Sequence, residues 1–327
     1  MRVWLLVLLS GCGFHPGASS SDSAPGGEMQ IAGEAGPGSG SGSDAGVTHD
    51  CRSNWFGSNL HFTARHRLDS LATTHTERDP SLSHNELQIW FSSDRGGTGS
   101  LGGADVWTAT RTTIADDFGT PVVATDASSA QDDGKYAISE DELSYAVSSN
   151  RTGTNGGFDV WVSHRDTGGQ NFPPADNMKL SPSVDDNNDQ YDPWINDDAT
   201  HLYYAPSPGG QRIMFATRAN ATAQFGTPVA VTELNIGTPT ADPTLFDGER
   251  VVVFSTIAAA NVGGADNTDM WYATRTDPAQ PFSTPQHLTD LATGNFEGDP
   301  WVSADGCHIY FAGSTNSDYD LYEAEVI

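Results

Sequence analysis

Asp-Pro steps recur along the chain, among them Asp79-Pro80, Asp192-Pro193, Asp242-Pro243 and Asp299-Pro300. Further carboxylates crowd the segments before them, among them Glu77, Asp132, Asp133, Asp185, Asp186, Asp189 and Glu297. Converging carboxylates can do two kinds of chemistry. A neutral and an ionised member flanking a glycosidic bond act as general acid and as base or nucleophile. A cage of carboxylate oxygens holds a hard cation such as Ca²⁺. A structural reading stands beside both, in which Asp caps its own turn and Pro fixes the start of a strand. The densest run is Asp185-Asp186-Asn187-Asn188-Asp189-Gln190-Tyr191-Asp192, with oxygen ligands at alternate positions. It departs from the EF-hand loop, because Gln190 and Asn196 stand where Gly and Glu are needed. The ligand and cation candidates are therefore Asp79, Asp185, Asp189, Asp192, Asp242 and Asp299. No catalytic residue is assigned at this stage. The chain has no Gly-x-Ser-x-Gly elbow, His-Glu-x-x-His pair or phosphate-binding glycine loop. Its ten histidines lack paired ligand spacing.

What must position these carboxylates is a repeat. The unit is clearest at 79–111 (DPSLSHNELQIWFSSDRGGTGSLGGADVWTATR) and returns at 135–165, 192–218, 242–275 and 299–326. Its aromatic marker recurs as Trp107, Trp161, Met214 (a substitution), Trp271 and Tyr322. Phe118-Gly119-Thr120-Pro121 returns as Phe225-Gly226-Thr227-Pro228 and more loosely at Phe282. Each unit holds four short strand-like runs, with hairpin signals such as Asp247-Gly248 and Asp305-Gly306 between the first two. No sustained 3.6-residue apolar period is present. Four-stranded antiparallel units repeated radially predict an all-β propeller, with five blades expected and six as the alternative. The run from Trp55 to Leu71 reads as a fourth strand and the chain stops after the third strand of the last unit, so an N-terminal strand should complete the last blade. In that scheme the innermost strands carry the Asp-Pro steps to the mouth of the central channel. Cys51 and Cys307 then belong to one blade and form a disulfide candidate, although the closing strand should pair with the third strand while Cys307 begins the second.

The run Ser-Ser-Asp-Arg or Ser-Ser-Asn-Arg, a glycine-rich turn, then Asp-Val-Trp (92–107, 148–161) resembles the TolB-like β-propeller repeat of exported bacterial proteins. The third repeat departs from it, with Pro206, Pro208 and Arg212 at marker positions. The resemblance implies a protein-binding platform and supplies no catalytic residue.

The N-terminus gives an address. Met1-Arg2 and the apolar run Val3–Leu9 precede Leu9-Ser10-Gly11-Cys12, which resembles the bacterial lipobox. The run is too short to span a bilayer. Residues 1–11 are expected to be a cleaved signal peptide and Cys12 the acylated residue, fixing the protein to the cell envelope through lipid alone. Residues 12–50 are rich in Gly, Ser and Pro and read as a tether that spans roughly 35 Å. Residues 51–327 form the propeller.

The net charge of −28, from 43 acidic and 15 basic side chains, excludes nucleic acid and anionic lipid surfaces as partners. The functional expectation at this stage is a binding or scaffolding module for a protein or an envelope polymer. A glycosidase-like hydrolase using channel-mouth carboxylates is the alternative.

Overall fold

The computed structural model describes residues 50–168, 170–175, 184–207, 211–264, 267–315 and 318–327. The signal segment, Cys12 and the tether up to residue 49 lie outside the described residues. The propeller belongs to a compact unit, Thr48–Ile327.

A short 3-10 helix, Arg52–Phe56, precedes β1, His66–Arg67. The first blade is β2 (Glu77–Leu82), β3 (Gln88–Ser93), β4 (Asp105–Thr110) and β5 (Val122–Val123). The second is β6 (Asp133–Ile138), β7 (Ser144–Ser149) and β8 (Asp159–His164), three strands among the described residues. The third is β9 (Asp189–Ile195), β10 (His201–Ser207), β11 (Met214–Thr217) and β12 (Val229–Ala230). The fourth is β13 (Thr240–Phe246), β14 (Val251–Thr256), β15 (Asp269–Thr274) and β16 (Gln286–His287). The fifth is β17 (Glu297–Val302), β18 (His308–Thr315) and β19 (Asp318–Glu325), closed by β1. The fold is a five-bladed propeller, and the alternative of six blades falls away. The closing strand is shorter than the run Trp55–Leu71: His66 and Arg67 pair with Glu323 and Tyr322, and Phe62 bridges Val326.

The pattern of the strands follows from blades packing face against face. A second strand is covered on both sides, so β7 and β14 are buried at every position and read as unbroken apolar or small runs. Cores form between neighbouring blades, as where Ile89 and Phe91 of the first blade meet Tyr310 and Leu321 of the fifth. The repeat markers hold each blade together. Arg111, Arg165, Arg218 and Arg275 lie over Phe118, Phe172, Phe225 and Phe282 at 4.1–4.4 Å from the ring centroids. Their Nε atoms donate to the carbonyls of Glu86, Glu142, Ala199 and Glu249 in the first hairpin of the same blade. One guanidinium thus ties the third strand, the following loop and a hairpin turn.

Cys51 and Cys307 are bonded, with Cα atoms 4.9 Å apart. The difficulty over strand order is resolved by the 3-10 helix. The Cys51 amide donates to the Asp305 carbonyl at 2.9 Å, and Trp55 Nε1 donates to the Gly306 carbonyl at 2.9 Å. The helix therefore sits against the first hairpin turn of the fifth blade, and the chain then runs on to reach β19.

Candidate functional site

The innermost strands all break step in the same place. The ladders between first and second strands shift register after Arg78, Asp133, Ala241 and Gly298, and in the third blade between Tyr203 and Ala205. At the break stand Asp79, Asp192, Asp242 and Asp299, each with φ between 54° and 57°. Asp is one of the few side chains that enter this left-handed region readily. The proline after it has no N–H to leave unpaired in the interrupted ladder. This local geometry brings the carboxylates of Asp79, Asp242 and Asp299, from three blades, to within 4.8 Å of one another. Asp192 is electrostatically coupled to all three. In the second blade the same position is Lys135, so the ring carries four carboxyls and one ammonium.

The ring sits deeper than the channel mouth expected from sequence, and the Asp residues are not turn caps. It divides the channel into two cavities. One, of about 390 Å³, opens toward the loops that precede the first strands and is lined by Asp79, Asp192, Asp242, Arg78, Tyr191 and Phe296 among others. The other, of about 350 Å³, opens between the first hairpin turns.

Arg78 organises the first cavity. Its Nε and Nη2 donate to Asp299 Oδ2 and Oδ1 at 2.8 and 3.2 Å, and its guanidinium lies 4.8 Å from the ring centroids of both Phe296 and Tyr319. Phe296 can approach because residue 298 is Gly; a Cβ there would come within 2.5 Å of the Phe296 ring. Burial by itself would pull Arg78 down, but Asp299 carries it well above its ordinary value. The reverse holds for Asp299. Burial pushes it up, yet Arg78, aided by Lys135, keeps it below the usual carboxylate range. Asp79 is pushed up to about 8, by burial first and then by the Asp299 charge. Burial and the neighbouring Asp242 and Asp79 push Asp192 well up. Asp242 is raised by burial and Asp299, with Lys135, Arg78 and a hydrogen bond to Ser255 opposing. The environments have driven like groups apart, which is how acid and base roles become distinct.

Of the candidate residues, Asp79, Asp192, Asp242 and Asp299 come together and Asp185 and Asp189 do not join them. Asp189 Oδ1 accepts from the amides of Gly157 and Phe158 and so holds a loop of the preceding blade. Asp185 accepts at its backbone carbonyl from Asn155 Nδ2. Glu77, Asp133 and Glu297 are likewise structural: each is fully buried and paired with Arg95, Arg151 or Arg65. The ring carboxylates could hold a divalent cation by distance, but Arg78 and Lys135 already supply positive charge there. Sequence reasoning missed both of those residues. Lys135 was readable by setting the five repeats in register, since it alone interrupts the column of Asp.

No family model matches the chain, and no curated protein sequence matches it. Solved structures do. The catalytic domain of the Coprinopsis cinerea GH62 α-L-arabinofuranosidase aligns over 82% of this chain and 96% of its own, at 12% identity and TM-score 0.51. A GH62 hydrolase in complex with xylotriose aligns over 81% and 97%, at 11% and 0.52. A thermostable family-43 glycoside hydrolase aligns over 78% and 90%, at 14% and 0.50. TolB from Acinetobacter baumannii aligns over 79% and 56%, at 13% and 0.46. The likeness is one of fold. The expectation of a binding or scaffolding module is nonetheless overturned: the stronger fold matches are to glycoside hydrolases, and the channel holds an open cavity lined by Asp79, Asp192 and Asp242, each raised above its ordinary value.

Proposed function

We propose that this protein is a glycoside hydrolase whose general acid is Asp79 and whose ionised partner is Asp299, held in that state by Arg78. The observation that carries the reading is the protonation split within one ring. Arg78 holds Asp299 in its ionised form, below the usual carboxylate range. Asp242 is raised by burial and by Asp299, and its hydrogen bond to Asp299 needs the proton on Asp242. Asp79 and Asp192 remain neutral, and Asp79, up at about 8, is the better matched to proton donation near neutral pH. One oxygen of Asp79 lies within 4.8 Å of one of Asp299, closer than the about 5–5.5 Å between the carboxyls of retaining glycoside hydrolases. Phe158, Tyr191 and Phe296 on the cavity wall offer faces for a sugar ring. The net charge of −28 favours neutral glycans over acidic ones.

The test is a panel of 4-nitrophenyl glycosides, including the α-L-arabinofuranoside and the β-D-xyloside, with neutral polysaccharides alongside. Turnover by the native protein that is lost in Asp79→Asn supports the assignment. Turnover that survives both Asp79→Asn and Asp299→Asn would sink it.

The lipobox-like tetrad supports an envelope location, with the propeller tethered through an acylated Cys12, and the serine-arginine markers support descent from a TolB-like repeat. Cys12→Ala should abolish fatty-acid labelling and membrane fractionation while far-UV circular dichroism of the propeller is unchanged. Continued labelling of that variant removes the lipoprotein assignment.

A further inference from the structure

The second cavity lies on the face opposite the proposed catalytic site and is built differently. Trp194, Trp301, Phe246, Leu82 and Ile138 wall it. Its mouth is acidic, with Glu140, Asp197, Asp198 and Glu249 against His84 as the one basic side chain there. Glu249 is already paired with His201 and Arg275. Glu140 and Asp197 have no such cation in hand. Glu140 is raised by burial and then by Asp197, and Asp197 by burial and then by Asp141. His84, 3.6 Å from Glu140, and the charge of Arg52 offer a weak counter-charge. Two carboxylates crowded at the lip of an aromatic-walled cavity are relieved by a cation whose body the walls can cover.

The inner end of the same cavity supplies an independent observation. Lys135 reaches both cavities, is 3% exposed, and its Nζ makes no hydrogen bond. A buried ammonium without an acceptor is costly, and a ligand oxygen would satisfy it. Its charge is balanced by the ring carboxylates, so what it lacks is an acceptor.

We infer that this cavity is a binding site for an aromatic amine: ammonium at the acidic mouth between Glu140 and Asp197, ring between Trp194 and Trp301, and an oxygen at the far end accepting from Lys135. The inference shares Lys135 with the ring but does not rest on the glycoside hydrolase reading, because the mouth residues and the tryptophans take no part in that site.

Tyramine carries all three features and is the probe. Phenethylamine lacks the inner oxygen, and tyrosol lacks the ammonium. Isothermal titration of the full-length protein should show one tyramine bound per chain, with both analogues at least tenfold weaker. The exposed pair Glu140→Gln/Asp197→Asn should weaken tyramine tenfold or more and leave tyrosol unchanged. Lys135→Met should bring tyramine to the level of phenethylamine; if that variant does not fold, the tyramine–phenethylamine contrast on the native protein tests the same contact. No binding of tyramine at millimolar concentration, equal binding of tyrosol, or indifference to the Glu140/Asp197 exchange would overturn the site. Failure of the glycoside panel leaves each of these readouts intact, so the two proposals stand or fall separately.

Discussion

Asp79→Asn is expected to lower kcat by 10² to 10⁴-fold on a glycoside with a poor leaving group, and by far less on one with a good leaving group. The range is that of a lost general acid, and the leaving-group contrast separates proton donation from general damage to the site. Asn is the exchange of choice because Asp79 has φ of 57°, a region Asn tolerates and Ala does not. The pH dependence has a definite sign. A general acid must be protonated, so activity in the native protein should fall as pH rises through about 8. Stability moves in the same sense. The folded-state value of Asp79 lies above the unfolded one, so the neutral native carboxyl favours folding fully below about pH 4 and progressively less as pH rises toward 8. Asn has no proton to lose, and Asp79→Asn should therefore be more stable than the native protein at pH 7, by on the order of a few kcal/mol at most. An inactive variant whose stability falls between pH 4 and pH 7 by as much as the native protein's would mean that Asp79 is not the buried neutral acid.

Sequence reading reached the architecture because a propeller is written five times over. Strand lengths, hairpin turns and the Arg and Phe markers each recur, and the consistency of the repeats outweighs any ambiguous unit such as the third. Closure by the N-terminal strand was legible for the same reason, as the unit missing at one end reappears at the other. The site was legible only in part. Asp-Pro steps marked residues that converge at the axis, yet reading them as turn caps at the mouth missed their left-handed backbone, a conformation that a strand context does not announce. The run at 185–192 and the ring differ because density of carboxylates along the chain is not convergence in space. Asp189 spends an oxygen on the amides of Gly157 and Phe158, whereas Asp79, Asp242 and Asp299, far apart in sequence, meet at the axis. Arg78 was invisible for a related reason: it stands where other blades have Gly134, Tyr191, Ala241 and Gly298, so no repeat pattern calls attention to it. The functional expectation failed at that step. A family resemblance carried by blade-building markers speaks to the scaffold, and the chemistry lies in residues the markers do not include.

Breaking the Cys51–Cys307 bond should lower the melting temperature by roughly 4–20 °C. The bond closes a loop of 256 residues, for which chain entropy gives on the order of 5 kcal/mol as an upper figure, and removal of native disulfides costs about 2–5 kcal/mol. At about 2–4 °C per kcal/mol for a domain of this size, that range yields the stated drop. Position adds to loop length. Elsewhere neighbouring blades are joined by continuous chain, whereas the fifth blade is completed by a strand from the opposite end, anchored by two ladder pairs and the Phe62 bridge. The disulfide fixes the start of that segment against the hairpin turn at 303–307. Because the effect belongs to the bond, Cys51→Ala, Cys307→Ala and the double variant should fall by the same amount, and reductant should lower the native protein to their level while leaving the variants where they are. Hydrogen exchange should localise the loss. The amides of Thr63 and Leu68, which donate to Glu325 and Leu321 across the seam, should lose protection before those of β7 in the second blade. A native protein indifferent to reductant, or protection lost evenly around the ring, would show that the seam is not where this propeller opens.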